Sequence, residues 1–357
     1  METAAKDFLY RYLNNASPTG FEAEGQKIWM EYIRPYVDEF ITDAYGTAVG
    51  VINPGKNYKV VIEAHADEIS WFVHYISKEG FIYVRKNGGS DAIIAPGKRV
   101  NIFTEKGVRK GVFGWPAIHI RSKDEKPEWP KPENVWIDVG ALDDKEVKEM
   151  GIRPGTVVTF EDGLTELNEH FFVGRALDNR IGGYMIAEVA KRIKANKTNL
   201  PFTIYVVNAV QEEIGLRGAE MIAHRLKPDC AIITDVTHDT QTPMIDKIRE
   251  GDVKCGGGPA LTTGPAVHRK LHSIIQQAAE KNGITLQHEA ASRSTGTDTD
   301  AFAYSNAGVP SVLISLPLRY MHTTVEMVHK KDLEECITLI YESLKLIPEG
   351  EKFSYFD

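Results

Sequence analysis

The sequence predicts an α/β protein: a mixed, mostly parallel sheet sandwiched by helices, with a small β-barrel-like domain inserted into it. Three observations predict this. After Glu166, apolar strands alternate with helical patterns, as in a largely parallel sheet covered on both faces. From about Ile69 to Phe160 the texture is almost purely β, with frequent turn signals. Outside that block, apolar strands repeatedly end in acids or histidines. With 357 residues, about two domains are expected at roughly 150 residues each. They are placed at 1–68 with 165–357, and at 69–164.

The elements follow in order. "AAKDFLYRYLNN" and "FEAEGQKIWMEYIRPYV" have helical apolar spacing and are separated by Ser17-Pro18-Thr19-Gly20. "YKVVIEAHAD" is a buried strand ending near His65. In the β block, "SWFVHYISKEGFIYVRK" reads as two strands around a Lys-Glu-Gly turn, and "KRVNIFTEKGVRKGVFGW" as a hairpin around Thr104 to Gly107. "EKPEWPKPEN" is a Pro-rich loop, "NVWIDVG" and "GTVVTF" are strands, and only "DDKEVKEMG" is helical. The α/β texture then returns. "RIGGYMIAEVAKRIKA", "GAEMIAHRL", "RKLHSIIQQAAEKNG", "DTDAFAYSNAG" and "KKDLEECITLIYESLKLI" are helices. "PFTIYVVNAV", "DCAIITDV" and "VPSVLISLPL" are strands. No internal repeat or low-complexity tail is visible.

Bulk properties exclude several classes. The net charge is −8, with 42% hydrophobic and 26% charged residues. That is ordinary for a globular domain and lacks the basic footprint of a nucleic-acid binder. Cys230, Cys255 and Cys336 have no C-x-x-C spacing, against a disulfide framework or a thiolate zinc site. "METAAKDFLYRYL" has no apolar core of signal-peptide length, and no apolar run reaches the roughly 18 residues of a membrane span. A cytoplasmic protein is expected.

In open α/β sheets, ligands bind beyond the carboxyl ends of the strands. There the sequence places His65 and Asp67, Glu212 and Glu213, Asp235, and His322 in the loop after the last strand, with Asp178 just before a helix. Each has an ordinary alternative: a helix-capping Asp, a hydrogen-bonded structural His, a pair of Glu on a solvated turn. Their repetition at strand ends favours a metal site. Imidazole and carboxylate ligands without thiolate suit zinc, cobalt or manganese. The arrangement expected has Asp178 bridging two ions, His65 with Asp235 on one and His322 with Glu213 on the other. Three carboxylates then leave one positive charge against two dications, which suits a bound hydroxide. Neighbouring strand residues point in opposite directions, so Glu213 is assigned as ligand and Glu212 as general base. Asp67 is placed to accept the second imidazole N–H of His65 and fix its tautomer.

"EAHADEI", "GRALDNRIGG", "QEEIGLRGA", "IITDVT", "TGTDTDAF" and "LPLRYMHTTVEMV" together resemble metallopeptidase family 42. This group includes glutamyl, deblocking and tetrahedral (TET) aminopeptidases. The resemblance covers nearly the whole chain and implies a zinc-aminopeptidase-like catalytic domain. Its ligands fall on His65, Asp178, Glu213, Asp235 and His322, its general base on Glu212 and the acid behind its histidine on Asp67. It implies two zinc or cobalt ions, peptides with a free N-terminus as substrates, an inserted β domain that shapes site and assembly, and dimers that build hollow tetrahedral dodecamers. It also places Thr297 and Asp298 in the substrate pocket, where the alternative is a helix cap at Asp298 or Thr299.

Other segments are less constrained. "KCGGGPALTTGP" lacks the G-K-[ST] of a phosphate loop and is expected to be a flexible loop near the pocket. Arg293, Arg319 and Lys254 are candidates to pair with an acidic substrate side chain. His238 is expected on the pocket wall or surface. Competing readings are a related metal-dependent deacylase or carboxypeptidase, a glucanase using Glu212 and Glu213, and a non-catalytic protein of the same fold.

Overall fold

The computed structural model describes residues 2–121 and 129–356. The first part of the expected Pro-rich loop at 125–134 therefore lies outside the described residues. Eleven strands form one sheet. Its centre is four parallel strands in the order Thr203–Ala209, Lys59–His65, Cys230–His238 and Ser311–Arg319. Their near-continuous Val, Ile and Leu runs fit strands covered on both faces. Antiparallel strands flank this centre: Ala48–Ile52 and Glu39–Thr42 on one side, Glu326–His329, Phe171–Gly174 and Thr165–Glu166 on the other.

Side chains alternate across the sheet. Val60, Ile62 and Ala64 pack with Leu9, Trp29, Met185, Ile275 and Ile340, which come from the helices Thr3–Asn14, Ala23–Ile33, Leu177–Ala195, Arg269–Asn282 and Lys330–Leu344. Val61 faces the other way, against Ile222 of Arg217–Leu226 and Phe302 of Asp298–Ala303. His65 has the parity of Val61, so it leaves the strand on the face covered by the two shorter helices.

The β block closes as a six-stranded barrel in the order Ser70–Ile76, Ile82–Asn87, Trp136–Asp138, Gly107–Gly114, Arg99–Thr104 and Val157–Phe160. Trp71 fills its centre, edge-on to Phe113 at 5.5 Å and to Phe160 at 6.5 Å between ring centroids. The helix within the block, Asp144–Glu149, starts where the Asp143 side chain accepts the N–H groups of Lys145 and Glu146.

The sequence pattern missed the flanking strands. Glu39–Thr42, Thr165–Glu166 and Glu326–His329 are at most four residues long, too short for a periodic signal. The "KCGGGPALTTGP" segment is not a flexible loop. Ala260–Thr263 is a strand on the flank of Ser311–Arg319, and the buried Asp332 carboxylate accepts the N–H groups of Gly256 and Gly258. Gly and Pro punctuation hid four strand residues. Among the described residues, no helix is long and apolar enough to cross a membrane.

The start of the Leu177–Ala195 helix is anchored by buried charge. Arg180 is fully buried, donates to the carbonyls of Tyr12 and Asn15, and lies 3.6 Å from the Glu68 carboxylate. Arg175 pairs with the other oxygen of Glu68. Replacing Arg180 by Met should cost roughly 3–5 kcal/mol in chemical unfolding, because it strips buried acceptors of their donor. A change below about 1 kcal/mol would contradict this anchoring.

Candidate metal centre

The candidate residues converge beyond the carboxyl ends of the parallel strands. His65 ends its strand. Its Nε2 lies 3.3 Å from Asp178 Oδ1, 3.8 Å from Glu212 Oε2 and 3.9 Å from Asp235 Oδ1. His322, in the loop after Ser311–Arg319, places Nε2 3.2 Å from Asp178 Oδ2 and 3.5 Å from Glu213 Oε2. The two oxygens of Asp178 thus face two different histidines. His65, Asp178 and Asp235 form one group able to hold a metal ion, and Asp178, Glu213 and His322 a second; within each, the candidate ligand atoms lie within 4.8 Å of one another.

Asp178 does not cap its helix. The N-cap position is Ala176, and Asp178 and Asn179 interrupt the helical backbone. This turns the carboxylate away from the helix end and into the site. The strand before Glu212 ends earlier than expected, at Ala209. Glu212 and Glu213 sit on a 3₁₀ turn entered through Gln211, whose φ of 58° is left-handed. The turn, not strand pleating, sends one carboxylate towards His65 and the other towards His322.

Other acids hold these residues by their backbones. Asp67 accepts the N–H groups of Glu212 at 3.0 Å and Glu213 at 3.2 Å, and the Thr19 hydroxyl at 2.9 Å. The Nδ1 of His65 therefore meets the Asp67 main-chain carbonyl at 3.2 Å, nearer than the carboxylate at 3.4 Å. Glu326 accepts from the N–H of Asp178 at 3.0 Å and of His322 at 2.8 Å. His322 itself has a φ of 62°, a conformation uncommon without glycine. Glu22 accepts from Gln211 at 3.2 Å. Sequence reading missed Glu326, although it lies within the quoted "LPLRYMHTTVEMV", and Glu22, which lies in no quoted motif. Glu63 had a usable signal: Glu63, His65 and Asp67 repeat every second residue, so three ionisable groups share one face of an apolar strand.

Electrostatics reflect the crowding. Burial, joined by the charges of Asp298, Asp235 and Asp178, pushes Glu212 up to about 10. Burial pushes Asp235 up to about 7 and Glu63 up to about 8, and raises Glu213. Asp178 is the exception. Burial opposes its ionisation, but hydrogen bonds to His322 and His65 outweigh that and lower it. The acids outnumber the two imidazoles, and one oxygen of Glu213 is buried without a partner. Oxygen and nitrogen donors with excess negative charge and an unmatched acceptor fit hard or borderline divalent cations.

The cleft over these residues has a volume of about 680 Å³, and Thr297 and His238 are in its wall. Thr297 also caps the Asp298–Ala303 helix through its side chain. Asp298 does not reach the cleft. It is 1% exposed, and burial beside the Glu63 carboxyl raises it well above the ordinary range; the oxygens of both groups are buried with no hydrogen-bond partner. Among the described lining residues there is no Lys or Arg. Arg319 is engaged elsewhere, 2.6 Å from Asp239 and over the Phe171 ring. A larger cleft of about 970 Å³ includes Tyr58, Pro201, Pro228 and Pro310, at the amino ends of the same strands, and holds none of the candidate ligands.

A sequence model described as M42 glutamyl aminopeptidase matches residues 46–339. The chain belongs to the M42 glutamyl aminopeptidase family. It is 34% identical to the lysyl aminopeptidase of Pyrococcus furiosus, over 95% of this chain and 97% of that one. A TET aminopeptidase structure from a marine-sediment Thaumarchaeota archaeon superposes with a TM-score of 0.91 at 30% identity, covering 96% of each chain. The TET1 peptidase of Pyrococcus horikoshii, described as assembling into a tetrahedron or a large octahedral shell, matches with a TM-score of 0.81 at 28% identity, over 95% of this chain and 98% of that one.

The raised acids give a signed pH dependence. A carboxyl whose folded value lies above its unfolded one stabilises the fold at low pH, and loses that contribution as pH rises through the folded value. For Asp235 and Glu22 that value is about 7, and for Glu63 about 8. His65 and His322 are raised too and act in the same direction above pH ~6.5. Asp178 is lowered, so its contribution is lost only in strong acid. In chelator, the unfolding temperature should fall by more than about 2 °C between pH ~5 and ~8, and added divalent metal should flatten that slope. A flat or rising profile in chelator would refute it.

Proposed function

We propose that this protein is a metal-dependent aminopeptidase with two divalent ions per chain, zinc or cobalt, that releases the N-terminal residue of peptides. The observation that carries this reading is the single Asp178 carboxylate between two histidines, each with its own further acid. Asp178 would serve both positions, with His65 and Asp235 completing one and His322 and Glu213 the other. Bound there, the ions would polarise the scissile carbonyl and lower the pKa of water towards about 7.

The chain's own groups do the rest. Glu212 overhangs the site without belonging to either group. Cations bound beside it would oppose the burial that raises it, and its carboxylate would then take a proton from the attacking water and return it to the leaving amine. Asp67 keeps Glu212 and Glu213 in place through their N–H groups. The acidic surroundings suit a free α-ammonium group, as an aminopeptidase requires. With no Lys or Arg among the described lining residues, an acidic first side chain has no charge partner, so pairing by Arg293, Arg319 or Lys254 is not favoured.

The reading extends to organisation. Residues 69–164 act as a separate unit that shapes the site and the assembly, and 1–68 with 165–357 as the catalytic unit. The protein works in the cytoplasm as a dimer-built homo-oligomer, a tetrahedral dodecamer being the form expected. Similarity to the Pyrococcus horikoshii TET1 peptidase supports the assembly, and light scattering tests it: a single-chain mass would reject it. A glucanase role is disfavoured, because Glu212 and Glu213 share one turn and face different histidines instead of flanking a glycosidic bond.

A panel of free-amine aminoacyl-nitroanilides, with N-acetyl controls, tests the activity. Hydrolysis should require a free amine, stop in chelator, return with zinc or cobalt, and be slowest for Glu and Asp. Activity on N-acetyl substrates alone would favour the deacylase reading. Glu212→Gln should keep its metal yet lose about 10²–10⁴-fold in kcat, and normal turnover would remove Glu212 from its role. Asp178→Ala should lose both metals by elemental analysis; full occupancy would contradict a bridge.

A further inference from the structure

A turn of the barrel lies against the candidate metal centre. The Ile82–Asn87 strand leads into Gly88, Gly89 and Ser90. A Cβ on Gly89 would lie 2.5 Å from both Nδ1 and Cε1 of His322, closer than any carbon can approach. A Cβ on Gly88 would lie 3.1 Å from the Cβ of Glu213. His322 and Glu213 belong to the same candidate group, and none of the three atoms nearest to a Cβ on either glycine belongs to His65 or Asp235.

The contact is polar as well as steric. The Gly89 main chain is also one of the polar groups that act on the His322 ring, in the direction of holding its proton. Nε2 of that ring faces Asp178 and Glu213, so the nitrogen turned to Gly89 is Nδ1. A carbonyl accepting from Nδ1–H leaves the lone pair on Nε2, the tautomer a metal ligand needs.

The turn is itself immobilised. The Asn87 side chain donates to the Thr19 carbonyl at 2.9 Å and to the Ser70 hydroxyl at 2.8 Å, and the Ser90 hydroxyl donates to the Ser70 carbonyl at 2.6 Å. Thr19 in turn donates to Asp67. One network thus ties the barrel's turn to the acid that holds Glu212 and Glu213. A tightly anchored backbone against a ligand ring, with no side chain between them, is a device for fixing orientation.

We propose that Gly89 is a positioning residue through which the barrel orients His322 and so sets the affinity of one metal position, that of Asp178, Glu213 and His322, without touching the other. This rests on the two-metal reading above. The test is Gly89→Ala. Gly89 lies outside the left-handed region, so alanine is compatible with its backbone. The His322 side chain is 30% exposed and lines the open cleft. The variant should therefore fold, with a metal-free unfolding temperature close to wild type.

Calorimetric titration of metal-stripped protein with zinc, and the absorption bands of the cobalt-loaded protein, separate the outcomes. Wild type should bind two ions. Gly89→Ala should bind one unchanged and the other about 10–100-fold more weakly, with an altered cobalt spectrum at the weakened position only. Gly97→Ala is the control: it lies in the same block with a φ of +83° and open space around it. It should cost some stability and leave both affinities intact. Two unchanged affinities in Gly89→Ala would overturn the proposal, and so would equal weakening of both. Fewer than two ions in the wild type would overturn the two-metal reading itself, and this inference with it.

Discussion

The constraint on which this structure turns is the crowding of buried carboxylates beyond the ends of four parallel strands. Like charges in a low-dielectric setting repel strongly, so each acid must find a donor, a cation or a proton. The acids divide accordingly. Asp67, Glu68, Glu22 and Glu326 are satisfied by main-chain N–H groups, a hydroxyl or buried arginines. Asp178, Glu212, Glu213 and Asp235 face the two histidines instead. Glu63 and Asp298 lie buried behind the site and are both raised, so burial favours their protonated forms.

This division explains how the site is held. The satisfied acids grip the others by the backbone: Asp67 holds Glu212 and Glu213, Glu326 holds Asp178 and His322, and Glu22 holds Gln211. Side-chain oxygens of the gripped residues are left for other partners. Several of these residues lie in backbone conformations that ordinary side chains adopt reluctantly. Ala176, Gln211 and His322 all have positive φ, and such conformations persist where surrounding bonds over-determine them. The glycine turn of the barrel adds one more fixed wall, against His322.

The cleft and the ligand set carry different information. Relatives of this fold and family differ in the residue they are named for, and the proposed ligands say nothing about that choice. The wall of the cleft over the ligands includes Thr237, His238, Thr295 and Thr297. The arginines nearest in sequence do not reach that wall. Arg319 is absorbed by Asp239, which also orders the start of the Gly-rich segment through Cys255.

Much of this was legible in the sequence because it repeats a simple physical pattern. Buried parallel strands must be apolar along their length, so a His or acid at the end of "VVIEAHAD" or "AIITDV" stands out. The switch to short strands and turns after Ile69 marks the barrel for the same reason. What was not legible depended on contacts distant in the chain. Nothing in "TTVEMV" says that Glu326 reaches back to Asp178, 148 positions away. Nor does "TGTDTDAF" say that Asp298 turns inward to Glu63 while Thr297 faces the cleft. By itself the sequence determined the α/β class, the inserted β block and the identity of the residues gathered at the strand ends, because periodicity and burial are local properties. Only the tertiary structure decided which acids merely hold the backbone, that Asp298 turns away from the cleft, and that a barrel glycine lies against His322. Those relations arise where separate elements meet, and no local pattern encodes them.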